Sequence, residues 1–291
     1  MRRLLATLLL AVFGLALPMA TRAVTPGTTD KLDPKRTGLP FESVSFPSMG
    51  DSVKLRGWWF EAGAKSNAVV LLPRSDGTMA DLLPSVREFV MRGFSVMTFD
   101  LREFGPGGPG TQDSLTNVMF ASRWVDDAQG AFAFAREKAP GRFVFGWGQD
   151  LGSPLVVAVG ARDHRLIDAL ACEGLFRTVQ EQLLWNGTAQ VPEVMKRHRI
   201  LVDPQDEPMS SVPRLYVPML VVLSLKDEVT PPAVTRTVAH HSLTRIDRYE
   251  LPAAGHVGAE LQPGYFDHVA AWFKQIAALL PPPAPLTPAQ P

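Results

Sequence analysis

Short, mainly apolar runs alternate along this chain with longer stretches whose apolar residues recur at helical spacing. Residues 68–72 (AVVLL) and 94–99 (FSVMTF) are β-rich and too short for helices, and residues 82–91 between them carry the pattern of a crossover helix. Residues 143–145, 166–172 and 219–223 repeat the strand pattern, interleaved with helix-like stretches such as 125–138. Strands that are apolar on both faces must be covered on both, and strands separated by helices run parallel. The clearest helix is the last, where Phe266, Val269, Phe273, Ile276 and Leu280 form one apolar stripe. Residues 44–46 and 53–60 read as an antiparallel pair ahead of the first crossover. The pattern predicts an α/β fold: a mostly parallel central sheet with helices on both faces, entered by a strand pair and closed by a helix.

The two ends differ from this body. Arg2 and Arg3 precede an apolar run from Leu4 to Leu17 and then Ala20-Thr21-Arg22-Ala23, the pattern of a secretory signal peptide cut after Ala23. Its apolar core is shorter than the roughly 20 residues that span a bilayer, so no stable membrane insertion is expected after cleavage. The expected location is periplasmic or secreted. Residues 24–40 are rich in Pro, Gly, Thr and charge and read as a flexible segment; residues 281–291 are mostly Pro and Ala and read as a disordered tail. Residues 41–280 are left as one domain.

Charge and cysteine content narrow the chemistry further. The chain has 29 basic and 29 acidic residues; cleavage would remove Arg2, Arg3 and Arg22, leaving 26 against 29, a net charge of −3. That balance carries no nucleic-acid footprint, and the cluster Lys196-Arg197-His198-Arg199 reads as a solvated face. A single cysteine, Cys172, excludes an internal disulfide, and its run LIDALAC makes it a buried, inert thiol. No cofactor or metal motif is read. Residues 105–110 (GPGGPG) lack a P-loop lysine and form a plain loop.

In parallel sheets the reacting groups gather just beyond the carboxyl ends of the strands. After the strand at 143–145 comes Gly148-Gln149-Asp150-Leu151-Gly152, in which small residues two before and two after Asp150 permit a sharp strand-to-helix turn. Such a turn thrusts its central side chain outward and leaves the next backbone N–H, that of Leu151, free to bind an anion. After 219–223 comes Lys226-Asp227-Glu228, and after 249–251 comes Ala253-Ala254-Gly255-His256. The chain order is nucleophile position, acid, histidine.

With these residues the chain resembles a small α/β-hydrolase of the dienelactone-hydrolase and acyl-peptidase-like branches over residues 41–280. Phe99-Asp100-Leu101-Arg102 resembles the family's D-x-R turn, with Asp100 and Arg102 read as structural glue; 225–231 resembles its acid-bearing turn, and His256 matches its histidine. The resemblance implies a small cap between strands 6 and 7, at about 176–212, whose apolar residues include Leu183, Leu184 and Trp185. Two departures stand out. Asp150 occupies the place of the nucleophilic serine, and Pro73-Arg74-Ser75-Asp76-Gly77 replaces the His-Gly that opens the family's oxyanion loop. Proline has no N–H to offer, which leaves Ser75 or Asp76 as the second donor.

An aspartate at the elbow is ionised without help and suits attack on a saturated carbon, giving an ester that His256, oriented by Asp227, hydrolyses through water. Haloalkane dehalogenases and epoxide hydrolases, related families, are understood to work this way. Dehalogenases commonly carry Trp where this chain has Leu151, and epoxide hydrolases use cap tyrosines that are not matched here; Trp147 and Trp185 are the available ring contacts. Two readings stay open. One is an exported hydrolase of a small organic substrate, ester-like or carbon–halogen or epoxide, with Arg74 holding a substrate or leaving anion. The other is a degenerate binding or scaffolding protein in which Arg74 pairs with Asp150.

Overall fold

The computed structural model describes residues 27–106, 120–185 and 202–283 of the 291-residue chain. Within them the strands are β1 (Glu42–Pro47), β2 (Lys54–Phe60), β3 (Ala68–Leu71), β4 (Ser95–Phe99), β5 (Val144–Gln149), β6 (Ala169–Glu173), β7 (Met219–Ser224) and β8 (Ile246–Leu251). They form one sheet in the order β1-β2-β4-β3-β5-β6-β7-β8. Only β2 runs against its neighbours β1 and β4; the pairings from β4 to β8 are parallel. The helices are α1 (Leu83–Met91), α2 (Ser122–Lys138), α3 (Gly152–Arg162), α4 (Val179–Trp185), α5 (Pro208–Ser211), α6 (Pro232–Ala239) and α7 (Tyr265–Leu279).

The apolar strands alternate their side chains between two cores because successive residues of a strand point to opposite faces. Val70, Met97, Val144, Leu170 and Val221 pack with α2 and α3, whereas Val69, Val96, Phe145, Ala171 and Val222 pack with α1 and α7. The predicted stripe of the last helix is the wall of the second core. Phe273 is fully buried and stacks on Phe145 with ring centroids 4.6 Å apart. Truncating such a side chain to alanine costs about 3–5 kcal/mol.

Register brings the carboxyl ends of the central strands level. Gln149 lies beside Glu173, Glu173 beside Val222, and Ser224 beside Leu251. The turns after β5, β7 and β8 therefore open on one edge of the sheet, where Asp150, Asp227 and His256 lie.

The structure corrects the sequence reading in several places. β5 runs on to Gln149, well past residue 145, because Gly146 and Gly148 look like loop residues but are packing choices; a Cβ on Gly146 would come within 2.7 Å of Ile167 Cδ1. β8 starts at Ile246, its half-exposed IDRYEL pattern hiding an edge strand. Residues 27–40, read as flexible, are held down: Asp30 pairs with Arg56, Gly27 O accepts from Gly105 N, Pro34 is buried, and Leu32 and Leu39 pack on the second core. The expected signal at 1–23, most of the tail and most of the GPGGPG loop lie outside the described residues. No helix among the described residues is long and apolar enough to cross a membrane.

Candidate active site

Asp150 occupies the turn between β5 and α3 with φ = 51°, in the left-handed region that a non-glycine residue adopts only under local constraint. The flanking glycines make the turn possible. A Cβ on Gly148 would sit 2.8 Å from Ser153 N, and one on Gly152 would sit 3.0 Å from Leu72 O, so the helix start closes tightly over both strand ends. Leu151 follows Asp150 and precedes α3, with its N–H at the positive end of the helix. Ser153 Oγ donates to Gly148 O at 2.8 Å and locks the turn from inside.

The loop from β3 to α1 approaches from one side. It is fixed at its start by Leu72 N donating to Trp147 O (3.0 Å), and at its end by the Thr78 cap and by Met79 N donating to the buried Asp100 (2.7 Å). Asp100 also pairs with Arg56, and Arg102 with Asp127 and Asp51, so both act as the structural glue expected of them. Between these anchors, Ser75 donates to Asp150 Oδ2 from its backbone N–H at 3.0 Å and from its hydroxyl. Arg74 turns elsewhere. Its guanidinium meets Glu260 at 3.3 Å and lies 3.9 Å from Asp76, so the expected alternative of an Arg74–Asp150 pair is not what forms. The reason is local: Glu260, partly exposed on the segment after His256, lies within reach of Arg74, and the Ser75 donors take the Asp150 oxygen on this side.

Asp227 and His256 approach from the other side. Asp227 is 5 % exposed, and its Oδ1 accepts from Val229 N and Thr230 N at 2.8 Å each, which orients Oδ2 toward His256 Nδ1 at 3.0 Å. His256 Nε2 then points at Asp150 Oδ1, 3.7 Å away, too far for a hydrogen bond. Val257 next to it has φ = 46°, so strained backbone sits at both the aspartate and the histidine.

The charges are strongly coupled. Burial works against the ionised Asp150 carboxyl, but the contact with His256 and the hydrogen bonds from Ser75 outweigh it and hold Asp150 below the usual carboxylate range. Burial likewise disfavours a charged His256, yet the Asp150 and Asp227 carboxylates on its two sides prevail and push it up to about 9. Both shifts act in the same sense and favour a protonated His256 facing an ionised Asp150.

Sequence reasoning missed the support beneath this site. Glu173, at the end of β6, is 2 % exposed; it accepts from Gln149 Nε2 at 2.8 Å and from Ser224 Oγ, and its backbone N–H donates to Ser153 Oγ at 2.9 Å. The signal was a carboxylate closing an otherwise apolar central strand. Trp147, offered as a ring contact, is instead buried in the second core, donating its N–H to Tyr265 Oη at 2.8 Å. From the expected cap, α4 packs on the acid-bearing turn: Gln182 Nε2 donates to Val229 O (2.7 Å) and the exposed Trp185 donates to Glu228 O (3.0 Å). Residues 186–201 of that cap lie outside the described residues, and 204–214 form short helical turns against α3. Cys172 is buried, and burial drives its thiol well above its usual range.

A cavity of about 450 Å³ opens between α1 and the start of α7, lined by Ser85, Arg92, Glu260 and Tyr265 among others, but Asp150, Asp227 and His256 do not line it. Glu260 is its link to the site through Arg74. Among the described residues no group of three or more His, Cys, Asp and Glu is placed to hold a metal ion.

No protein-family model matches the chain, and comparison with curated proteins yields no match. Solved structures do match. An esterase of Pyrococcus furiosus aligns with a TM-score of 0.66 at 16 % identity, covering 86 % of this chain and 98 % of its own. The alpha/beta hydrolase GrgF of a Penicillium species aligns at 0.65 and 18 % identity (82 % and 100 %), and an acetyl xylan esterase of a Paenibacillus species at 0.61 and 14 % (88 % and 97 %). At these identities the likeness is one of fold: the chain has the α/β-hydrolase fold.

Proposed function

We propose that this chain is an exported hydrolase of small organic molecules that uses Asp150 as a covalent nucleophile on a saturated carbon. The observation that carries this reading is the division of labour between the two oxygens of Asp150. Oδ2 is bound by the Ser75 N–H and hydroxyl, while Oδ1 faces His256 and has no such donor among the described residues. The signal-like first residues support export, and the esterases among its structural neighbours support hydrolysis.

The chemistry follows from that division. Oδ1 forms a bond to the substrate carbon, and the leaving group departs with the bonding electron pair. The Asp150 ester has lost its charge, and with it one of the two carboxylates that hold the proton on His256, so the imidazolium releases that proton to solvent and the neutral imidazole becomes a competent base. His256 takes a proton from water, the hydroxide attacks Asp150 Cγ, and negative charge develops on Oδ2. The Ser75 N–H and hydroxyl are aimed at that oxygen. Collapse breaks the bond between Cγ and the original Oδ1, His256 returns its proton to the departing alcohol, and the water oxygen stays in the carboxylate.

Water attacking an ester directly, with Asp150 and His256 as base, is the second reading, favoured by the esterase neighbours. It is the weaker one, because the Ser75 N–H that a substrate carbonyl would need is engaged by Asp150. Incubation with a short bromoalkane, styrene oxide and p-nitrophenyl acetate separates the two. Turnover of the bromoalkane or the epoxide, lowered roughly a hundredfold or more in Asp150→Ala, is expected. Turnover of the ester alone would reject displacement at carbon.

A further inference from the structure

We propose that Glu173 is a positioning residue that clamps the Asp150 turn to the Asp227 turn and couples its own proton to that of His256. This rests on the reading of Asp150, His256 and Asp227 as one machine. The clamp is visible in the bonding. One Glu173 oxygen accepts from Gln149, the residue before Asp150, and the other accepts from Ser224, whose backbone O accepts from Asp227 N at 3.0 Å. Its main-chain N–H donates to Ser153 Oγ, whose one hydroxyl proton lies between Gly148 O and Glu173 O. One buried carboxyl thus joins the ends of β5, β6 and β7.

The next residue, Gly174 (φ = 78°), runs so close to the acid that a Cβ there would lie 3.8 Å from Asp227 Oδ2. The charged and titratable groups that face Glu173 are Asp227 and His256 from the turns after β7 and β8, Tyr265 from α7 and Cys172 on its own strand. Burial pushes Glu173 up to about 7, and Asp227 adds to the rise while His256 opposes it. A neutral Glu173 has a hydroxyl to donate, and the buried Gln149 Oε1 has no hydrogen-bond partner among the described residues, so a turned Gln149 amide would supply the acceptor. Ionisation adds a third negative charge around the imidazolium and makes His256 hold its proton harder. Protonation of Glu173 relaxes that hold, which is what a base needs once Asp150 is esterified.

The test reads His256 directly and needs no substrate, so it stands apart from whether the chain turns over any compound. In the full chain labelled with 13C-histidine, with His256 identified by its loss in His256→Asn, the imidazole resonance is followed against pH. The wild type should show a main inflection near 9 and a smaller one near 7. Glu173→Gln keeps an acceptor for Ser224 and offers an N–H to Gln149 Oε1; it should abolish the smaller inflection and lower the main one by roughly half a pH unit or more. Identical titrations of the two proteins would overturn the coupling. Should Glu173→Gln not fold, the Glu173 carboxyl carbon of the wild type decides instead: a midpoint near 7 supports the inference, and one in the ordinary carboxylate range overturns it.

Discussion

Ser75 binds one oxygen of Asp150 twice, from its backbone N–H at 3.0 Å and from its hydroxyl, and so turns the other oxygen toward His256. In a serine hydrolase the matching N–H would be held for the substrate's oxygen. Here Asp150 brings its own oxygen to that donor, the arrangement that the proposed Asp150 ester intermediate calls for.

Removal of the hydroxyl in Ser75→Ala should therefore slow hydrolysis of the Asp150 ester roughly a hundredfold while leaving its formation much less affected. The modified protein should accumulate, and intact-mass spectrometry after mixing with an alkylating substrate would detect it. Equal slowing of both steps would argue against a role for Ser75 in stabilising the oxyanion.

His256 links the site to pH. Its folded-state pKa, about 9, lies above the usual 6.5, so its pairing contributes stability that is fully present below 6.5 and is lost as pH rises through 9. Thermal midpoints of the wild type and His256→Asn should differ most in acid and converge across that window. A difference independent of pH would contradict the flanking-carboxylate environment. Buried Glu173, also raised, loses its contribution at lower pH, as pH climbs from about 4.5 through 7, in both proteins.

Arg74 anchors the Ser75 loop to Glu260, whose carboxyl burial raises while Arg74 lowers it. Both side chains are partly exposed, so Arg74→Ala should cost only about 1 kcal/mol in denaturant unfolding and should leave the Asp150 titration in place. A large shift in the Asp150 pKa would restore the Arg74–Asp150 pair that the geometry argues against.

Much of this was legible in residue order. Alternating apolar runs fixed the parallel sheet, and a glycine-flanked Asp150, an acid turn and a late histidine marked three strand ends that register brings level. What was not legible depended on through-space partners. Ser75 could be picked as an N–H donor, but not that its target is Asp150; Asp76, Asp150 and Glu260 all compete for Arg74, and sequence carries no signal that Glu260, 186 residues away, makes the shortest contact. Glu173 falls just past the apolar run 166–172 in the sequence reading, and its role is visible only once Gln149 and Ser224 are seen on either side of it. Glycines 146 and 148 fall outside the strand read at 143–145 because their packing reason lies in Ile167 and in the start of α3.

The central claim is that Asp150 forms the covalent bond. Turnover of an alkylating substrate in heavy-oxygen water, followed by proteolysis and mass spectrometry of the peptide containing Asp150, tests it most directly. The proposed mechanism predicts that the label enters the Asp150 carboxylate and that the first product molecules carry ordinary oxygen taken from the enzyme. A light Asp150 after many turnovers, with label in the product from the first one, would contradict it.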